Sequence, residues 1–378
     1  MRRIPGRFAP AHAVGGTAGT PTQGHTSYRQ GGPSPILQTG PEEATMVDLS
    51  TRYLGLPLRS PVVASASPVT ADITKLEALE EAGVGAVVLP SLFEEQLEQD
   101  APDDDTMRPG GPGPAGPVLS VGHLDDYNAG PDDYLHLIAA AKAALSVPVI
   151  ASLNGTTSGG WTRYAHLIEQ AGADALELNI YRVTADVHAS SQAVEREYVE
   201  LVRRVRKVVD LPLAVKVGPA FTAFGNVAQQ IAAAGAEGLV LFNRFYQPDI
   251  DLDTMTVAPQ LSLSTSDELR LTLRWMALLH GRIDAYLAAT TGIHSGADVL
   301  KVVLAGASVA MLASALIRNG PGHVAVIQRE IVDWMEAHGH SSIRELRGLL
   351  SQRTVSNPSD YERANYTWTL TSYTRGLS

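Results

Sequence analysis

Residues 211–217 read LPLAVKV, and residues 236–243 read AEGLVLFN. The first is a short apolar strand with an internal lysine, Lys216. The second ends on an asparagine, Asn243, and a helical stretch over 226–234 separates the two. In a parallel barrel both side chains can face the mouth where a ligand sits. A buried lysine is expensive unless an anion or acceptor meets it, so the segment points to a cofactor site. The plain alternative is a lysine at a strand end reaching solvent. Asn154 (ASLNG) and Asn179 (LELNI) end two further apolar runs. Amides so placed can read the donors and acceptors of a flat heterocycle, or they can cap loops, since Asn suits turns. Later, Thr291-Gly292-Ile293 precedes a helical pattern at 295–305, and Ser314 follows an apolar run. Small residues and exposed N–H groups near helix starts bind phosphate. The competing reading is helix capping.

The elements that must position these groups recur from about residue 60 onward. Apolar runs at 61–65, 85–89, 147–153, 174–180, 211–217, 238–243, 284–290 and 307–313 alternate with amphipathic helical patterns. Strands alternating with helices mean a parallel sheet covered by helices. AGVGA, AGADA, AGAEG and AGASV mark the joints, with glycine just past a helix end. Eight units predict a closed (β/α)8 TIM barrel with long loop insertions; the runner-up is a doubly wound open sheet. A barrel holds its ligand at the C-terminal strand ends. In order, the runs deliver there Ala64 and Ser65, Pro90 and Ser91, Asn154, Glu177 and Asn179, Lys216, Asn243 and Arg244, Thr291 and Gly292, and Ser314. This rim is rich in amides and lacks the His and carboxylate clusters of a metal site.

Composition bounds the rest. The 378 residues suffice for one large domain with appendages, and the net charge of −11 argues against nucleic acid as a partner. With no cysteine there is no disulfide, thiolate ligand or cysteine base. No apolar run approaches a membrane span of about 20 residues, and no signal-peptide core opens the chain. A cytoplasmic protein follows as the expectation. Residues 1–45 read as a disordered leader, 46–340 as the barrel and 341–378 as a polar extension packing on its outside. Residues 93–131, containing DDDTMRPGGPGPAGP, read as a long lid or disordered loop.

With these segments in this order, the chain resembles the dihydroorotate dehydrogenases, FMN-dependent (β/α)8 flavoproteins. The resemblance covers roughly residues 47–335. It rests on SPVVASAS, AGVGAVVLPS, YNAGPDDYL, VPVIASLNG, AGADALELNI, LPLAVKVGP, AGAEGLVLFN and TTGIHSGADVLKVVLAGASVAMLASAL. It implies FMN as cofactor, with Lys216 at the flavin N1/O2 edge. Asn154, Asn179 and Asn243 then lie by flavin or substrate, with Ala64, Ser65 and Ser91 around the cofactor. It implies phosphate turns at Thr291, Gly292 and Ser314, and a substrate asparagine at Asn128. It implies a small-molecule substrate and leaves a homodimer open; with no amphipathic membrane extension of the quinone-using kind read at the N-terminus, a soluble electron acceptor is the expectation.

The departures are specific. Where the family usually has a lysine after the second run, this chain has Pro90. Where the family has its base, it has Arg182, which cannot accept a proton at physiological pH. The family's second asparagine there is Thr184. Tyr181 and Arg182 are candidates for a substrate carboxylate, and His123 and His188 for a replacement base, against the simpler reading of surface histidines. Three functions stay open: a CH–CH oxidoreductase acting on dihydroorotate or a relative, a flavin-binding barrel without dihydroorotate turnover, and a phospho-ligand barrel without flavin.

Overall fold

A computed structural model describes residues 47–93, 96, 130–155, 161–244, 247–258, 261–362, 366 and 370–371. The leader, most of the 93–131 loop, Asn128 and His123 lie outside the described residues. The barrel belongs to one compact unit, Thr45–Ser378.

Eight parallel strands close into a barrel. In chain order they are β3 (Val62–Ala64), β4 (Ala86–Phe93), β5 (Val149–Asn154), β6 (Ala175–Asn179), β7 (Leu213–Val217), β8 (Gly238–Leu241), β11 (Tyr286–Thr290) and β12 (Val309–Leu312). Each pairs with the next, and β12 pairs with β3 to seal the ring. All eight runs became strands because both faces of each are covered, one by helices and one by the barrel interior, which selects near-continuous apolar sequence. The main helices of the outer layer are α1 (Ile73–Glu81), α2 (Pro131–Ala144), α3 (Trp161–Gln170), α4 (Ser191–Arg206), α5 (Phe224–Ala233), α6 (Leu269–Leu279), α7 (Gly296–Ala305), α8 (Ser314–Asn319) and α9 (His323–Ala337). None is long and apolar enough to cross a membrane.

Alternation along each strand divides the core in two. Val62, Ala64, Leu176, Leu178, Val215 and Val217 face the helices. Val63, Ala175, Ala214, Val240, Ala288 and Met311 fill the interior. By that parity Glu177, Asn179 and Lys216 also point inward, in a layer above the apolar ones.

The lower end is closed by a hairpin, β1 (Thr51–Tyr53) paired with β2 (Leu56–Leu58). Tyr53, Leu54 and Leu58 join the interior cluster, and burying each apolar side chain contributes about 1.5–3 kcal/mol. The plug is tight: a Cβ on Gly238 would stand 2.6 Å from Leu54 Cδ2. A second hairpin, β9 (Asp249–Asp251) with β10 (Thr256–Ala258), follows β8 and is exposed. Neither hairpin is one of the eight repeats.

Strand β4 is longer than its apolar run. It continues through Pro90 to Phe93, with a register shift between Val88 and Ser91. Proline cannot donate a ladder hydrogen bond, so it sits where the pairing is irregular. Described residues after α9 contact the barrel's helices. Ile343 and Leu346 are buried, Gly348 N donates to Val303 O, and Gln352 N donates to Ala277 O.

Candidate active site

At the C-terminal ends of the strands lies a cavity of about 450 Å³, within the size range of small-molecule sites. Ser65, Asn154, Asn179, Lys216, Asn243, Thr291, Gly292 and Ser314 line it together. Three other candidates do not. Ala64 belongs to the face turned toward the helices, opposite in parity to Ser65. Ser91 is displaced by the β4 irregularity into the barrel interior, where its hydroxyl meets Ser152 Oγ at 2.8 Å. Arg182 turns outward and pairs with Glu197 on α4, lining a separate groove with Thr184 and Phe221. Its neighbour Tyr181 lines the cavity instead. His188 is exposed, and its backbone N–H bonds Asp186 Oδ1 at 2.8 Å.

The floor is built from three strands. Lys216, 8% exposed, donates toward Ser65 Oγ across the barrel at 3.5 Å. Its Nζ lies 3.6 Å from Glu177 Oε1. Glu177 is 0% exposed, and among the described residues neither carboxylate oxygen has a hydrogen-bond partner. Tyr53 rises from below, its hydroxyl also without a partner among the described residues. Burial, and secondarily the charge of Glu177, push the Tyr53 phenol well above its ordinary pKa. Beside Lys216, Asn243 Nδ2 donates to Asn179 Oδ1 at 2.6 Å, orienting both amides. Phe242 is held between the barrel and Phe224, ring centroids 5.0 Å apart.

The far end is a turn under constraint. Thr291 (φ 71°) and Gly292 (φ 80°) are both left-handed, which for a β-branched residue is an outlier that the surroundings must hold. Thr291 Oγ1 donates to Phe242 O at 3.1 Å. A Cβ on Gly292 would stand 2.5 Å from Leu269 N. Gly292→Ala is therefore expected to cost about 2–5 kcal/mol, left-handed strain plus overpacking, measured as a fall in denaturation midpoint.

A stretch the strand pattern did not single out, residues 261–264, closes this end. Leu261, Ser262, Leu263 and Ser264 line the cavity. Ser264 N donates to Ser314 Oγ at 3.1 Å, and Gly292 N donates to Ser264 Oγ at 3.4 Å. The signal for it was available: Thr265 and Glu268 form a capping box, a legible helix start. Glu268 also accepts from Arg244 Nε at 2.8 Å, fixing that guanidinium beside the mouth.

Asp298 ties these pieces together. It is buried and accepts from Ser266 Oγ, His294 N, Ser295 Oγ and Lys301 Nζ. Burial raises its pKa, but the hydrogen bonds outweigh that and the net shift is downward. A carboxyl with a lowered folded pKa stabilises above its unfolded value and loses that contribution as pH falls through the folded one. Asp298→Asn is expected to cost about 1–3 kcal/mol at neutral pH. Melting curves should show the gap to wild type closing on acidification toward the carboxylate range.

A closed parallel barrel with an interior lysine, oriented amides and a constrained small-residue turn at one mouth defines a (β/α)8 barrel with a polar-rimmed cavity at its strand ends. The chain belongs to the dihydroorotate dehydrogenase family: the family model described as dihydroorotate dehydrogenase matches residues 108–335. Curated relatives agree. The "Dihydroorotate dehydrogenase B (NAD(+)), catalytic subunit" of Desulforudis audaxviator is 28% identical over 311 residues, 80% of this chain and 97% of that protein. Proteins of the same name from Methanothermobacter thermautotrophicus and Alkaliphilus metalliredigens are 25% and 24% identical, covering 80% and 81% of this chain and 98% and 100% of theirs. The chain is thus an FMN-dependent dehydrogenase of the dihydroorotate dehydrogenase type.

Proposed function

We propose that the cavity holds FMN and that the protein oxidises a CH–CH bond of a small substrate other than dihydroorotate. The observation that carries this is Lys216, an interior lysine that lines the cavity and places one donor on Ser65. The donor set fits the cofactor at both ends. Lys216, Asn154, Asn179 and Asn243 suit the acceptor edge of a planar heterocycle, while the Ser314 hydroxyl, which accepts from Ser264 N and keeps its own proton to donate, suits a phosphate. When bound, FMN supplies the two-electron acceptor.

The residues of the chain then divide the work. Lys216 stabilises negative charge developing at the heterocycle's edge, where a preorganised cation needs no reorganisation. Asn179 and Asn243 orient what lies beside it, and Tyr181 and Phe93 wall the substrate space. The outward pairing of Arg182 and the burial of Pro90 within β4 support a substrate that differs from dihydroorotate. The same observations favour, as a second reading, a flavin-binding barrel with no such turnover.

In this reading residues 46–340 form the cofactor-binding barrel and 341–378 its outer extension, which the contacts of Gly348 and Gln352 support. A soluble electron acceptor in the cytoplasm completes it. The test is the visible spectrum of freshly purified protein. Flavin absorption and release of FMN on denaturation are expected; a colourless protein that does not take up added FMN would overturn the proposal.

A further inference from the structure

We infer that Glu177 is a positioning residue, a buried carboxylate that holds Lys216 in place and sets the charge beneath the cofactor. This deepens the FMN reading and rests on it. Glu177 is 0% exposed, on the interior face of β6. A carboxylate without hydrogen bonds in an apolar interior is costly, yet among the described residues this one has no hydrogen-bond partner on either oxygen.

Its surroundings explain its use. The Tyr53 hydroxyl below makes no hydrogen bond to it. Ser152, on the adjacent β5, and Ser91, on β4 beyond it, are bonded to each other. The charged group facing it is Lys216 Nζ, 3.6 Å away and one layer higher. Lys216 thus stands between two fixed points, Glu177 below and Ser65 at 3.5 Å across the barrel. An ammonium has three donors, and this arrangement leaves its remaining ones to the cavity. The carboxylate also offsets the lysine's charge, so that the floor presents a paired cation and not a bare one.

Two readouts separate this from a merely structural role. The first is the midpoint potential of the bound flavin. Glu177→Gln removes a negative charge under Lys216 and strengthens the positive field at the floor, favouring the reduced, more negative cofactor. A rise of at least about 30 mV is expected, equivalent to a tenfold shift of a two-electron equilibrium. The second is a double-mutant cycle of melting temperatures with E177Q, K216M and both together. K216M leaves Glu177 buried without its cation, so the double variant should melt above K216M alone.

A yellow wild type whose E177Q variant keeps FMN and an unmoved potential would overturn the inference while the FMN reading stands. A colourless wild type would sink that reading, and the cycle would then decide alone whether Glu177 holds Lys216: a double variant melting no higher than K216M overturns it. If E177Q does not fold, the comparison of K216M with the double variant gives the same decision.

Discussion

Lys216→Ala is expected to lose most of its flavin or to slow flavin reduction by about 10²–10³-fold, the usual cost of one preorganised donor at developing charge. The same change removes the cation beside a fully buried carboxylate. Breaking one partner of a buried pair costs about 3–5 kcal/mol, so the variant should also melt well below wild type. The two effects are separable. Flavin content is read from the absorption of protein purified in the cold, and reduction kinetics from the occupied fraction. Unchanged occupancy together with unchanged kinetics would remove Lys216 from the cofactor edge.

Dihydroorotate itself should be a poor substrate. Its oxidation needs a base to take the proton from C5, and such help is commonly worth about 10²–10⁴-fold. The position expected to carry it is Arg182, which cannot act as a base and which turns away to Glu197. The lysine expected after the second run is Pro90, inside β4. His188, a candidate replacement, is exposed and does not line the cavity. Anaerobic mixing of FMN-loaded protein with dihydroorotate should bleach the flavin slowly or not at all. Bleaching at about 1–10³ per second, the range of enzyme turnover, would overturn this and place a base elsewhere.

The barrel was legible because its strands are buried on both faces, so each reads as a continuous apolar run, and four of them follow a glycine joint. That redundancy carried all eight. It also misled at β4, where Pro90 reads as a strand end although the strand passes through it with a shifted register. Parity along a strand was available for Ala64 and Ser65: Val62 and Ala64 share one face, so only Ser65 could reach the cavity. The direction of Arg182 was not available. It lies in an irregular segment after β6, and an ion pair with a residue 15 positions later decides it. Residues 261–264 carry no strand or helix period, and their role comes from contacts with Gly292 and Ser314 at long separation.

The plug at the bottom of the barrel bears on how the chain is made. Tyr53, Leu54 and Leu58 are among the first described residues, yet they pack against Val240, Ala288 and Val309. Thr51 Oγ1 bonds Ser308 O, 257 positions away, and the ring itself closes only when β12 meets β3. Contacts this distant in sequence pay their loop-closure entropy before they return any stability, which slows folding. A nascent chain in which β11 and β12 have not yet been made therefore exposes both an unsealed sheet edge and the apolar face of the β1–β2 hairpin. Surfaces of that kind are prone to aggregate until the ring closes over them.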